Sequence, residues 1–264
     1  MAQLDGKTAV VLGAAGKDNM GQTIARAFAA EGAKVVVGGR QEAPLAALAQ
    51  EIGGAHALCD ITQKAEIDAL AAVALERFGA CDVAVNCTGW GLLAPLLETT
   101  EEQIDQITAL QFKGPYFFLQ TFAGLMAQHG GGSIIQISSA STVALLRNHA
   151  AYIGTKAGAD ALVRCFANEF GEQGVKVNSI LPGLTASPMT TAAMHTPGLE
   201  AAFAREYPLG RIGTSQDVAD AAVWLASDHS FITGQMLHIN GGLTLRRNPT
   251  PGEIEAAVVK AMAR

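Results

Sequence analysis

A rhythm constrains this chain of 264 residues more than any single motif. Short β-branched runs recur at residues 8–12, 34–38, 55–58, 82–86, 132–138, 175–180 and 235–239. Alanine-rich stretches with helical periodicity, such as 63–78 and 155–170, fill the gaps between them. Strands separated by helices pair in parallel, because the helix is the crossover that parallel pairing requires. Parallel sheets bury both faces, so the rhythm predicts an α/β fold: a doubly wound parallel sheet of about seven strands with helices on both sides. No linker, repeat or low-complexity tract interrupts it, which predicts a single domain over residues 1–242.

Two segments break the rhythm. Residues 184–212, "LTASPMTTAAMHTPGLEAAFAREYPLGRI", form an insertion long enough to be a functional lid. Residues 243–264 form a C-terminal extension in which "TPGE" reads as a capping box, with Thr250 at the N-cap, Pro251 at N1 and Glu253 reaching back. Ile254, Val258 and Met262 then make an apolar stripe on a helix of about three turns, too short to be stable in water unless it packs. It is expected to dock on its own body or on a neighbouring subunit.

The stretch "GAAGKDNMGQTIA", residues 13–25, lies between the first strand and an amphipathic helix. Glycines at such a junction let the backbone turn and approach a pyrophosphate, whose charge sits on the amides of the helix N-terminus. The order is Rossmann-like, and Gly13, Ala15, Lys17, Asn19 and Met20 are candidate cofactor contacts. No G-x-G-x-x-G can be read through glycines 13, 16 and 21, so the loop has an unusual length.

Charge and cysteine usage narrow the class of partner. A net charge of −6 argues against the basic stripe of a nucleic-acid binder, and the apolar runs are too short to span a bilayer. Cys59, Cys81, Cys87 and Cys165 lack C-x-x-C spacing, so no metal is expected. The N-terminus lacks the basic and apolar regions of a secretion signal, which gives a cytoplasmic expectation.

Tyr152 and Lys156, four apart in "AAYIGTKAGADAL", point from one helix face. Thirteen residues before Tyr152, the strand "SIIQISS" ends on Ser138 and Ser139, so a hydroxyl can meet the phenol at the carboxyl edge of the sheet. Lowering a phenol from pKa ~10 towards neutrality takes ~4 kcal/mol. One ammonium ~4 Å away supplies that at an effective dielectric of ~20, without burial of the lysine.

With these motifs placed, the chain resembles a short-chain dehydrogenase/reductase from about residue 7 to residue 242. Beside "YIGTK" it has "NCTG" (86–89), "CDIT" (59–62), "VKVNSILPG" (175–183) and "FITGQMLHINGG" (231–242) in the family's order. The resemblance implies an oxidoreductase that moves a hydride between a nicotinamide and a ketone or secondary alcohol. Tyr152 is then the general acid/base, and Ser139 holds the substrate oxygen. Lys156 lowers the tyrosine pKa and binds the nicotinamide ribose. Asp60 and Ile61 contact the adenine, Asn86 the neighbouring ribose, and Leu184 and Ser187 the carboxamide. Family members are commonly tetramers, which gives a homotetramer as the expectation.

The sequence departs from the family in two places. The glycine loop is two residues longer than in the main branch and resembles that of the divergent enoyl-acyl-carrier-protein reductases. Their catalytic spacing would put tyrosine at position 149, which is His149, so the active site keeps the carbonyl-reducing spacing. Gln111 stands where the family has the asparagine that anchors a water in the proton relay; the relay with shifted geometry and a structural role both remain open. At the end of the second strand Gly39 replaces the acid of NAD-preferring relatives and Arg40 follows, so NADP(H) is expected over NAD(H), with Lys17 as a second cation. Trp90, Leu146, His149, Met189, Met194 and Tyr207 are candidate walls of an apolar pocket, which implies a bulky apolar substrate. A 3-oxoacyl-acyl-carrier-protein reductase is the alternative enzyme, and a catalytically silent cofactor-binding scaffold the alternative of another class.

Overall fold

The computed structural model describes residues 2–186, 190 and 195–263. Ser187, Met189 and Met194, expected at the cofactor and substrate pockets, lie outside the described residues. Among the described residues the chain runs β1 (Thr8–Leu12), α1 (Met20–Ala30), β2 (Lys34–Gly39), α2 (Glu42–Glu51), β3 (Ala55–Leu58), α3 (Lys64–Phe78) and β4 (Val83–Asn86). It continues through α4 (Glu101–Thr108), a π-helical turn (Ala109–Lys113), α5 (Gly114–Gln128), β5 (Gly132–Ile137), α6 (Ala150–Phe170) and β6 (Val175–Pro182). Then follow β7 (Thr185–Ala186), α7 (Leu199–Ala204), β8 (Gly213–Thr214), α8 (Ser215–Ala226), β9 (Met236–Ile239) and α9 (Pro251–Met262).

The main sheet has seven strands in the order β3-β2-β1-β4-β5-β6-β9, and every pairing in it is parallel. This is the single Rossmann-like domain that the rhythm predicts. Alternate strand residues serve opposite faces. Val11, Val37, Val85 and Ile135 pack with Ile24 and Phe28 of α1 and Leu225 of α8. Val10, Val36, Ala84 and Ile134 pack with Ile67 and Leu70 of α3, Phe118 and Phe122 of α5 and Val163 of α6.

The strand order reverses between β1 and β4, which opens a crevice where their carboxyl ends diverge. Gly13 leaves β1 there with φ +97, and a Cβ on it would stand 2.9 Å from the carbonyl carbon of Cys87. Only glycine lets the two strand exits approach so closely. One layer down, on the α6 side, the apolar rungs give way to a polar one. Asn86, Gln136 and Ser179 are register neighbours on β4, β5 and β6, and Asn86 Nδ2 donates to Gln136 Oε1 at 2.9 Å. No helix among the described residues is long and apolar enough to cross a membrane.

The insertion and the tail meet. The short strands β7 and β8 pair at the base of the insertion, and α7 lies beyond them. The capping box forms as expected: Thr250 N donates to Glu253 Oε2 at 2.7 Å and Glu253 N to Thr250 Oγ1 at 3.4 Å. The helix α9 docks on its own chain against α7, with Ile254 joining Phe203, Tyr207, Leu199 and Leu146 in a third apolar cluster. The expected stripe needs one correction: Met262 is 73% exposed, and the inward face instead carries Ala257 and Ala261. Small residues are required there because Gly198, φ +80, lies so close that a Cβ would come within 2.8 Å of the carbonyl carbon of Ala257. Asn248 Nδ2 also donates to Ala144 O at 2.6 Å, and Arg246 Nη1 to Arg205 O at 2.7 Å, so the tail holds both the insertion and the segment after Ser139.

Deleting residues 248–264 is expected to cost ~2 kcal/mol, which at this chain length lowers Tm by roughly 4–8 °C in a calorimetric scan. An unchanged Tm would show that the docking contributes nothing.

Candidate active site

Ser139, Tyr152 and Lys156 come together beyond the carboxyl end of β5. The ladder extends one residue past that strand, with Ser138 N donating to Ile180 O at 2.8 Å, and Ser139 then turns out of the sheet. Its Oγ accepts from Ser141 N at 3.2 Å and pairs with Ser141 Oγ at 2.8 Å, which fixes the hydroxyl at the start of a 3₁₀ turn. From the first turn of α6, Tyr152 brings its phenol within reach of that hydroxyl. His149 at the N-cap of α6 meets the Tyr152 ring edge-on, with centroids 5.9 Å apart.

The electrostatics differ from the sequence expectation. Burial raises the Tyr152 pKa above its ordinary value, the hydrogen bond with Ser139 works against that, and the charge of Asp160 adds to the rise. Lys156 is fully buried rather than exposed, and burial lowers its pKa from 10.5 to about 8. Its Nζ lies 6.0 Å from the centroid of the phenol ring. The ammonium donates to Ile137 O at 2.8 Å and to Thr88 O at 3.4 Å. The phenol thus favours its protonated form, because desolvation outweighs the other influences on it.

Gln111 sits in the π-helical turn between α4 and α5, the kind of bulge that re-aims a side chain at a site. It is 1% exposed, and both ends of its amide are engaged. Oε1 accepts from Trp90 N at 2.7 Å, and Nε2 donates to Thr155 Oγ1 at 3.1 Å, between Tyr152 and Lys156. Of the two roles left open by the sequence, these bonds agree with the structural one. The extra methylene of Gln111 lets it tie the Trp90 loop to α6.

The cofactor candidates divide into two groups. Asn19 caps α1, accepting from Gln22 N at 2.9 Å and donating to Gly13 O at 2.8 Å, so the loop is tied to the helix N-terminus. The amides of Met20 and Gly21, in the first turn of α1, have no intrahelical acceptor and suit a phosphate. A Cβ on Gly21 would stand 2.7 Å from Gly13 O, so the cradle excludes side chains as a dinucleotide site requires. Ala15 borders this loop, Lys17 is exposed in it, and Arg40 is exposed just past β2.

The second group is engaged by the protein itself. Asn86 is 1% exposed; its Oδ1 accepts from Thr88 N at 3.0 Å and its Nδ2 donates to Gln136, so its side chain shapes the shelf after β4. Asp60 Oδ1 accepts from Thr62 N at 2.9 Å, and the Ile61 side chain belongs to the core. Leu184 N donates to Tyr207 Oη at 2.5 Å. Tyr207 is thus a buried peg and not a pocket wall, with burial pushing its pKa up to about 12. Leu146 packs in the third apolar cluster, and Trp90 is half-buried on the shelf after β4.

The family model described as enoyl-(acyl carrier protein) reductase matches residues 13–244. A D-threitol dehydrogenase of Mycolicibacterium smegmatis is 34% identical over 250 residues, covering 92% of this chain and 95% of the relative. The galactitol 2-dehydrogenase (L-tagatose-forming) of Cereibacter sphaeroides is 34% identical over 248 residues, covering 92% and 97%. The 3beta-hydroxysteroid dehydrogenase 1 of Eggerthella lenta is 33% identical over 256 residues, covering 92% and 95%. A solved short-chain type dehydrogenase/reductase from Mycobacterium ulcerans superposes with a TM-score of 0.90 at 31% identity, covering 97% of this chain and 98% of that one. The chain belongs to the short-chain dehydrogenase/reductase family.

As a short-chain dehydrogenase/reductase it acts on CH–OH donors and interconverts alcohols and carbonyls, and the family implies a nicotinamide dinucleotide. One residue of this site carried no expectation from sequence. Asp160, four residues after Lys156 and on the same helix face, is buried and accepts from Ser138 and Ser179. The spacing 152, 156, 160 was the available signal.

Gln111→Ala leaves the buried Trp90 N–H without its partner, at a cost of ~1–3 kcal/mol, and opens a cavity besides. The expected outcome is a lower Tm and slower turnover that small buffer acids do not restore. Rescue by such acids would return Gln111 to the proton relay.

Proposed function

We propose that the chain is an NADP-dependent oxidoreductase that interconverts a bulky, largely apolar ketone and its secondary alcohol. The observation that carries this reading is that α6, which bears Tyr152 and a buried Lys156, is bonded to the exit of β5 that bears Ser139, through Lys156 Nζ to Ile137 O at 2.8 Å and Ser138 Oγ to Asp160 Oδ2 at 2.8 Å. The nicotinamide, when bound, supplies or accepts the hydride. Ser139 donates a hydrogen bond to the substrate oxygen, and Tyr152 gives its proton to the same atom as negative charge develops there. Burial keeps the phenol protonated until that moment, so the resting chain holds the acid that ketone reduction needs.

Apolar side chains line the approach. Leu93 and Leu96 follow the Trp90 shelf, Val143 and Leu145 follow Ser139, and all four are exposed. Ala94 N donates to Asn148 O at 2.9 Å and joins the two segments into one rim. Such a rim favours a hydrocarbon skeleton over a free polyol, so among the named activities of the relatives the steroid alcohol is the nearer in character.

Two features support NADP over NAD. A Cβ on Gly39 would stand 2.7 Å from Ala15 Cβ, so the acidic side chain that binds a ribose 2′-hydroxyl has no room there. Arg40 and Lys17 have no ion-pair partner among the described residues, and a 2′-phosphate would provide one. The phosphates would lie over Gly13, Ala15, Asn19 and Met20, and Lys156 would hold the nicotinamide ribose.

Following nicotinamide absorbance with a panel of cyclohexanol, threitol, galactitol and a 3β-hydroxysteroid tests the reaction. The expected outcome is turnover of the apolar alcohols, lost by ~100-fold or more in Tyr152→Phe while cofactor affinity is retained. Near-normal turnover by that variant would remove Tyr152 from the mechanism. A charged hydrogen bond contributes ~1.5–3 kcal/mol, so Arg40→Ala should reduce the kcat/KM preference for NADPH over NADH by roughly 10- to 100-fold. A wild-type preference for NADH would overturn the cofactor assignment.

A further inference from the structure

Ser139 lies on a turn and Tyr152 on a helix, so their meeting depends on what fixes α6 against the exit of β5. Two side chains of α6, one helical turn apart, grip consecutive residues of that exit. Lys156 Nζ donates to the carbonyl of Ile137 at 2.8 Å. Asp160 Oδ2 accepts from the hydroxyl of Ser138 at 2.8 Å, and the next residue along is Ser139. The other carboxylate oxygen of Asp160 accepts from Ser179 Oγ at 2.7 Å, so one side chain spans the ends of β5 and β6.

A carboxylate is an expensive way to join three elements. Asp160 is only 7% exposed, and burial raises its pKa, with the two serines and the charges of Lys156 and Arg164 working against the rise. Apolar residues of similar volume at such positions are often as stable or more so. What they lack is direction. The carboxylate fixes a distance and an angle to the Ser138 hydroxyl, and through the intervening backbone it fixes where Ser139 leaves the sheet.

We propose that Asp160 is a positioning residue of the alcohol–carbonyl reaction, which by holding the Ser138 hydroxyl sets Ser139 against Tyr152. This rests on reading Ser139 and Tyr152 as the catalytic pair. Misplacing that pair weakens contacts made in the transition state more than those made on binding, so the loss falls on kcat and not on KM. The structure holds its own control. Ser179→Ala removes a bond to the same carboxylate, of nearly the same length, without touching the exit of β5.

The experiment compares Ser138→Ala, Ser179→Ala, Asp160→Ala and Asp160→Asn with the wild type, using NADP and the fastest alcohol of the panel above. NADPH affinity is followed by fluorescence and Tm by calorimetry. Ser138→Ala and Asp160→Ala are expected to lose about 10-fold in kcat, with KM and NADPH affinity within about 2-fold. Asp160→Asn, which keeps an acceptor for Ser138, recovers most of that loss. Ser179→Ala lowers Tm about as much as Ser138→Ala does and keeps kcat within about 2-fold. Equal kcat in the two serine variants, or losses of kcat that track Tm across the series, overturns the proposal and leaves the catalytic reading standing. A wild type that oxidises nothing in the panel overturns the catalytic reading and this proposal with it. If Asp160→Ala does not fold, Ser138→Ala and Asp160→Asn decide the matter.

Discussion

A buried ammonium organises this molecule. Lys156 is held with no carboxylate in contact, on the carbonyls of Ile137 and Thr88, and its pKa of about 8 corresponds to about 3 kcal/mol of ionisation penalty relative to water. The fold bears that cost because the two carbonyls belong to the exits of the neighbouring strands β5 and β4. Moving α6 away from the sheet would strand the charge. The helix that carries Tyr152 is therefore bound to the strand ends that present Ser139 and the Trp90 shelf. The penalty is largest while Lys156 is charged, below its folded pKa, and fades as pH rises through that value towards 10.5.

The layers around the site follow from this. Below it the sheet is mostly apolar, with Ser133 and Asn178 as buried polar exceptions; near the strand ends on the α6 side it becomes amide and hydroxyl, with Asn86, Gln136 and Ser179 in register. Their hydrogen-bonding groups are engaged by one another, by Thr88 and Ile137 at the strand exits and by Asp160 of α6, so the polar rung is closed within the protein. A shelf satisfied in this way keeps its shape whether or not a ligand is present. The same holds at the glycine loop, where Asn19 ties the loop to its helix with both ends of its amide.

Much of this was legible in the sequence, because much of it is local. Strand–helix alternation gave the sheet, and the capping box at Thr250 and the Tyr152–Lys156 spacing depend on residues within a few positions of one another. What was not legible depends on partners far along the chain. Gln111 reaches Trp90 and Thr155, Tyr207 reaches Leu184, and Asp160 reaches Ser138 and Ser179. Motif spacing marks that such residues lie near a site but not whether their polar atoms are free. Lys156 failed in the same way: charge arithmetic in a uniform medium could not foresee that burial would dominate both it and Tyr152. Met262 was misplaced because an ideal stripe favours large apolar residues, whereas a helix seated on a glycine needs alanines.

Tyr207 has a consequence for how this chain can vary. Its hydroxyl bonds Leu184 at the start of the insertion while its own backbone lies near the insertion's end, and β7 pairs with β8 just outside. The two ends are thereby clasped independently of what lies between them, and loop-closure entropy grows only slowly with the number of residues enclosed. Between these ends α7 packs on α9, so substitutions there are met first by the tail. The insertion is in that sense a cassette on a fixed mount.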